Sequence, residues 1–160
     1  NQIMSKVFSA FIVFIFLFQG VSVSARLMNS DLIGLKTELD SIYYEASSKK
    51  KLSKEEAEKL VNEIDSGLKE LKDGISDNNE MTAKKVYKDA HKLELLANKG
   101  DTDVTREFKN VAKNTKALIK QYYGVADDDY DTVSEAVTEG LTKIRNFSDD
   151  MWNAFIELFK

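Results

Sequence analysis

The sequence predicts an all-α protein: an up-and-down bundle of five amphipathic helices plus a short C-terminal helix, following an N-terminal signal peptide. Three observations predict it. Apolar residues recur at spacings of three and four in each segment after Ala25, which is the helical period. No window of alternating β-branched residues competes with those segments. The three/four alternation is sustained in each segment, which favours shallow crossing angles and short antiparallel connections.

The first stretch sets the expected destination. Val7–Phe18 is almost wholly apolar, Lys6 precedes it and Val23-Ser24-Ala25 closes it. A basic start, a short greasy middle and small residues at the cut are the order of a secretory signal. Cleavage after Ala25 is expected, with Met4 as the start and Asn1–Ile3 as translated leader. The competing reading is an uncut membrane anchor, against which Gln19, Gly20, Ser22 and Ser24 interrupt the apolar run. The expected organisation is therefore residues 1–25 as leader and signal, and residues 26–160 as one helical domain.

Five helices follow. The first opens at Ser30 or Asp31 and carries Leu32, Leu35, Leu39, Ile42 and Ala46 on one face, with Lys49–Lys51 suited to its negative end. The second opens on a capping box, Ser53 with Glu56, and turns Ala57, Leu60, Val61, Ile64, Leu68 and Leu71 inward before Gly74. Asp65 and Lys69 form a helix-supporting pair in it, as do Glu55 and Lys59. Asp77–Glu80 opens the third, with Ala83, Val86, Ala90, Leu93 and Ala97 inward, and Gly100 ends it. Thr102 or Asp103 opens the fourth, with Val104, Phe108, Val111, Thr115, Leu118 and Tyr122 inward, and Gly124 ends it. Thr132 with Glu135 reads as a second capping box for the fifth, which carries Val133, Val137, Gly140, Leu141, Ile144 and Phe147. Ser148 then caps a short last segment holding Trp152, Phe155, Ile156 and Phe159, read as a lid on the core.

An offset of 79 relates Leu39, Tyr43, Tyr44, Ser53, Glu56 and Ala57 to Leu118, Tyr122, Tyr123, Thr132, Glu135 and Ala136. Coincidence of helical grammar weighs more here than duplication, because double Tyr and capping boxes are common in helical hairpins. Each Tyr pair reads as one core ring and one rim ring.

Composition removes several function classes. Charged residues are 31% and hydrophobic residues 42%, a globular balance. The chain has no Cys, so an exported domain must be stabilised by helix packing rather than by disulfides. Without Cys and with one His (His91), thiolate zinc sites and Cys nucleophiles are excluded, and a His-based triad has little to draw on. No catalytic, metal or cofactor constellation emerges, so the chain reads as a non-enzyme. The acidic run Asp127–Asp131 fails as an EF-hand, because Thr132 and Thr138 stand where Gly and Glu are required.

Charge is divided along the chain. Met81–Gly124 has ten Lys/Arg against five Asp/Glu, while both flanking parts are acidic. Arg106, Lys109, Lys113, Lys116 and Lys120 recur at three and four and form one stripe on helix four. Lys84, Lys85, Lys88 and Lys92 do the same on helix three. If the two helices are neighbours, their outer faces share a basic surface suited to an extracellular protein, a sulfated polysaccharide or another anionic ligand. The alternative for these lysines is solvation and pairing with acidic helices of the same bundle.

The expected function is thus that of a secreted, extracellular binding or effector protein using this basic face. Carriage of lipid or another small apolar ligand in a bundle cavity is the alternative. Specific nucleic-acid binding and stable membrane insertion after cleavage are not expected. Export also makes two residues eligible for modification: Tyr130, in its acidic setting, for sulfation, and Asn146, in Asn-Phe-Ser, for glycosylation.

Overall fold

In a computed structural model, residues 35–124 and 130–160 are described. The signal segment Val7–Ala25, the caps Ser30 and Asp31, Leu32 and the acids Asp127–Asp129 lie outside them. The helices are α1 (Lys36–Ser48), α2 (Lys54–Glu70), α3 (Glu80–Ala97), α4 (Asp103–Tyr122), α5 (Tyr130–Arg145) and α6 (Asp149–Ile156), with a 3-10 turn at Glu157–Phe159. Among the described residues there is no strand, so the all-α class holds.

Local side-chain chemistry sets three of the starts. Ser53 Oγ accepts from the Glu56 amide at 3.1 Å while the Glu56 carboxylate accepts from the Ser53 amide at 3.0 Å. Thr102 and Thr105 close the same reciprocal box at the head of α4, at 3.2 and 2.8 Å. Ser148 accepts from the Met151 amide at 3.3 Å. At α3 the preceding Asn79 instead stitches the turn, accepting from Ser76 N and donating to Gly74 O. Gly74 and Gly124 have φ of 104° and 76°, the left-handed ends that glycine adopts without strain.

One expected boundary is corrected and another is met with an added partner. Helix α5 begins at Tyr130, so Thr132 lies inside its first turn and is not the cap. Helix α1 ends at Ser48 with Lys49 as its C-cap, where the lysine run breaks the pattern; Lys99, from beyond α3, adds a donor to Lys49 O at 2.9 Å and Ser47 O at 3.4 Å, while Lys49 reaches Glu56.

Cross-helix pairs define how the helices run. Glu63–Lys85 (3.2 Å) and Glu70–Thr82 (3.1 Å) make α2 and α3 antiparallel. Helix α4 runs back along α3, placing Ala83 with Ile119 and Tyr123, and Leu93, Leu96 and Ala97 with Phe108, Val111 and Ala112. Helix α5 packs on α4 in turn. Helix α1 behaves differently. It lies chiefly against α3 and parallel to it, joined by Glu38–Lys88 at 2.7 Å and Glu45–Lys92 at 3.3 Å.

The core has two parts. The smaller gathers Leu35, Leu71, Ala83, Val86, Tyr87, Ile119 and Tyr123 at one end. The larger occupies the middle and the other end, where α6 and the 3-10 turn bury Trp152, Phe155 and Phe159. There Phe108 meets Phe147, Trp152 and Phe155 at centroid distances of 5.6, 5.6 and 4.3 Å.

The Tyr pairs are not equivalent. Tyr123 is fully buried and Tyr122 half-buried, so it is Tyr123 that faces the core. Tyr43 and Tyr44 are both exposed, at 51% and 71%, because α1 is covered on one side only. With Thr132 also failing to cap where Ser53 does, the 79-residue offset carries no structural equivalence.

Thr115 is fully buried on α4, and its Oγ1 has no hydrogen-bond partner among the described residues. A buried hydroxyl without a partner costs about 1–3 kcal/mol. Thr115→Val keeps the shape and removes that group, so it is expected to raise the unfolding free energy by about 1 kcal/mol in a urea titration. A loss of stability would show that the hydroxyl is satisfied.

Candidate functional site: the charged faces of α3 and α4

Helices α3 and α4 are neighbours, so the structure brings the two basic stripes side by side. It then divides their nine residues into three groups. The first group is neutralised within the bundle, by other helices or by α3 itself. Lys88 and Lys92 hold Glu38 and Glu45 of α1, and Lys85 bridges Glu63 of α2 and Asp89 of its own helix, at 3.2 and 2.9 Å. Lys84 pairs with Glu80 at 3.6 Å. These contacts are felt in the protonation equilibria. The Lys88 hydrogen bond holds the Glu38 carboxyl below its usual pKa. Burial works against the Lys85 charge, but Asp89 and Glu63 outweigh it and raise its pKa.

The second group is turned inward. Lys116 Nζ lies 2.9 Å from Glu94, 2.9 Å from His91 Nδ1 and 5.5 Å from the centre of the Tyr87 ring. An ammonium can only donate, so His91 Nδ1 accepts and the neutral imidazole carries its proton on Nε2. Burial, and then the Lys116 charge, push the His91 pKa below its ordinary value. Lys109 folds back to donate to Gly100 O at 3.1 Å, past the end of α3.

The third group remains outward. Arg106, Lys113 and Lys120 are exposed and seven residues apart, hence on one ridge about 10 Å apart along the axis. Arg106 has an exposed partner, Asp103, at 2.8 Å. Among the described residues Lys113 and Lys120 have no carboxylate partner.

Asn146 is exposed just beyond α5, with its backbone amide bonded to Thr142 O and Lys143 O. Beside it, Phe147 is half-buried rather than buried. The side chain of Tyr130 lies outside the described residues. No group of three or more His, Cys, Asp or Glu placed to hold a metal occurs among the described residues. No described helix is long and apolar enough to cross a membrane.

Two features escaped sequence reasoning. The docking of α1 on the α3 lysines pairs Glu38 with Lys88 and Glu45 with Lys92, seven residues on one helix against four on the other, so no shared spacing announces it. A cleft of about 320 Å³ between α2 and α5 has no signal either, because it arises from which helices fail to meet closely. Leu68, Leu118, Val137 and Leu141 are among its lining residues, with Lys69, Lys72 and Arg145 at its rim. The chain has no significant match to any known protein family, to any curated protein or to any solved structure.

Proposed function

We propose that the chain is a non-enzymatic, secreted binding protein that meets an anionic extracellular partner. In this reading Val7–Ala25 directs export, and the helices form an up-and-down bundle closed by α6. Contact is made through the outer ridge of α4. The observation that carries the proposal is the pair Lys113 and Lys120, exposed on the ridge of Arg106 without a carboxylate partner among the described residues. Exposed cations without partners are the ones an external polyanion can neutralise, while Lys88 and Lys92 would first have to release their glutamates.

Chromatography on immobilised heparin tests this. The protein is expected to be retained at low salt, and Lys113→Glu with Lys120→Glu is expected to abolish retention. In a salt titration of the affinity, each neutralised lysine is expected to reduce the slope of log K against log salt by about one, by counterion release. Absence of retention at low salt, or retention unaffected by the double substitution, would sink the reading.

A second reading, carriage of a small apolar ligand, is favoured by the cleft between α2 and α5. Its apolar floor is not covered by close packing of the two helices.

A further inference from the structure

We infer that the α2–α5 cleft binds a single-chain amphiphile with an anionic head, of the medium-chain carboxylate class; this rests on the ligand-carrying reading above and specifies its ligand. Helices α2, α3, α4 and α5 pack closely in sequence, but α2 and α5 approach each other less closely than either approaches its other neighbour. The ring of contacts is therefore open on one side. Through the opening the floor is apolar and comes from three helices: Leu68 of α2, Leu118 and Tyr122 of α4, and Val137 and Leu141 of α5.

The mouth is basic. Lys69, Lys72 and Arg145 stand around one carboxylate, Asp65. Asp65 Oδ2 takes Lys69 at 3.2 Å and also takes Arg145. One acid against three cations leaves two positive charges in excess at the rim. The α5 side adds hydroxyls that are already donating: Thr138 to Ser134 O at 3.0 Å and Thr142 to Thr138 O at 2.9 Å. Positive donors for an incoming head group thus come from Lys69, Lys72 and Arg145.

Size and charge together select the occupant. At about 320 Å³ the cleft stands at the small end of ligand pockets, which run from roughly 300 to 1,000 Å³. That suits one short alkyl chain and not the two chains of a diacyl lipid. A carboxylate head places its charge among the rim cations, whereas a neutral head leaves the excess uncompensated and a cationic head is repelled.

Calorimetric titration of the purified full chain with octanoate, decanoate, decanol and decyltrimethylammonium, each below its micellar concentration, tests the inference. Decanoate is expected to bind and to exceed octanoate by about four-fold per added methylene. Decanol and the ammonium compound are expected to bind at least ten-fold more weakly than decanoate. Lys69→Glu with Lys72→Glu should weaken decanoate at least ten-fold. Ser134→Trp, or Thr138→Trp if the first variant fails to fold, should fill the mouth and abolish binding. Lys36→Glu, exposed on α1 and outside the cleft lining, should leave it unchanged. Decanol binding as well as decanoate would overturn the anionic class while leaving carriage intact. No binding of any of the four compounds would overturn both. Binding that survives the Trp variants would overturn the site.

Discussion

Phe108→Ala is expected to lower the unfolding free energy by about 3–5 kcal/mol, the usual effect of emptying a buried aromatic site. The position is fully buried near the start of α4, and its ring joins three elements. It meets Phe147 just after α5, and Trp152 and Phe155 of α6. Phe155 in turn packs on Phe159 at 5.6 Å, so the ring of Phe108 begins an aromatic chain that runs through α6 into the 3-10 turn. Helix α6 and its 3-10 turn also bury Trp152 and Phe159 in the larger core, with Lys99 5.2 Å from the centre of the Phe159 ring. The α6 ion pair, Lys54–Asp149 at 3.1 Å, is exposed, and exposed pairs contribute roughly 0–1 kcal/mol. Total stability of a domain is about 5–15 kcal/mol, so the loss is a large fraction of it. Trp152 is the one Trp of the chain and lies 5.6 Å from Phe108, which makes its fluorescence a local reporter. In the variant, the Trp152 emission should shift to the red at lower denaturant than the loss of helical circular dichroism. Coincident transitions with a stability loss below about 1 kcal/mol would show that α6 is held by something else.

The same aromatic group shows what the sequence makes readable. Trp152, Phe155 and Phe159 recur at three and four after a Ser cap, and a segment so apolar has to be buried. The reciprocal cap at Ser53 is similarly local, and the structure reproduces it atom for atom. Failures occur where a non-local partner decides. Thr132 and Glu135 have the spacing of a capping box, which would start the helix at Val133, yet α5 begins three residues earlier, at Tyr130. The lysine run does end α1, with Lys49 as the cap, but the carbonyls there are also reached by Lys99 from just beyond α3, which no local spacing signals. The α3 stripe was visible as a charge pattern. Its neutralisation depends on α1 lying parallel to α3, and periodicity within either helix carries no information on that. The α2–α5 cleft is the extreme case, since Leu68, Val137 and Leu141 have the same pattern whether or not the two helices close on each other.

Gly67→Ala and Gly140→Ala are each expected to destabilise the protein by about 1–3 kcal/mol, against the helical trend. In an unconstrained helix interior the change from Gly to Ala stabilises by roughly 0.5–1 kcal/mol. Here both glycines sit at helix crossings. A Cβ at Gly67 of α2 would lie 2.1 Å from Val86 Cγ2 of α3, and one at Gly140 of α5 would lie 2.3 Å from Val111 Cγ2 of α4. The obstructing atoms are methyls of β-branched side chains, whose χ1 is stiff, so they cannot swing aside cheaply. Val86 and Val111 are also buried, which leaves relief only through separation of the helices. The test is a double-mutant cycle. Val86→Ala alone removes buried methyls and should destabilise, but in the Gly67→Ala background it removes the clash as well. The double variant should therefore be more stable than the sum of the singles by at least about 1 kcal/mol, and Gly140→Ala with Val111→Ala should behave likewise. Additivity in both cycles would mean that the crossings relax without strain. Coupling in both would identify the paired glycine–valine contacts as what sets the spacing of α2, α3, α4 and α5, and hence the width of the cleft left between the first and last of them.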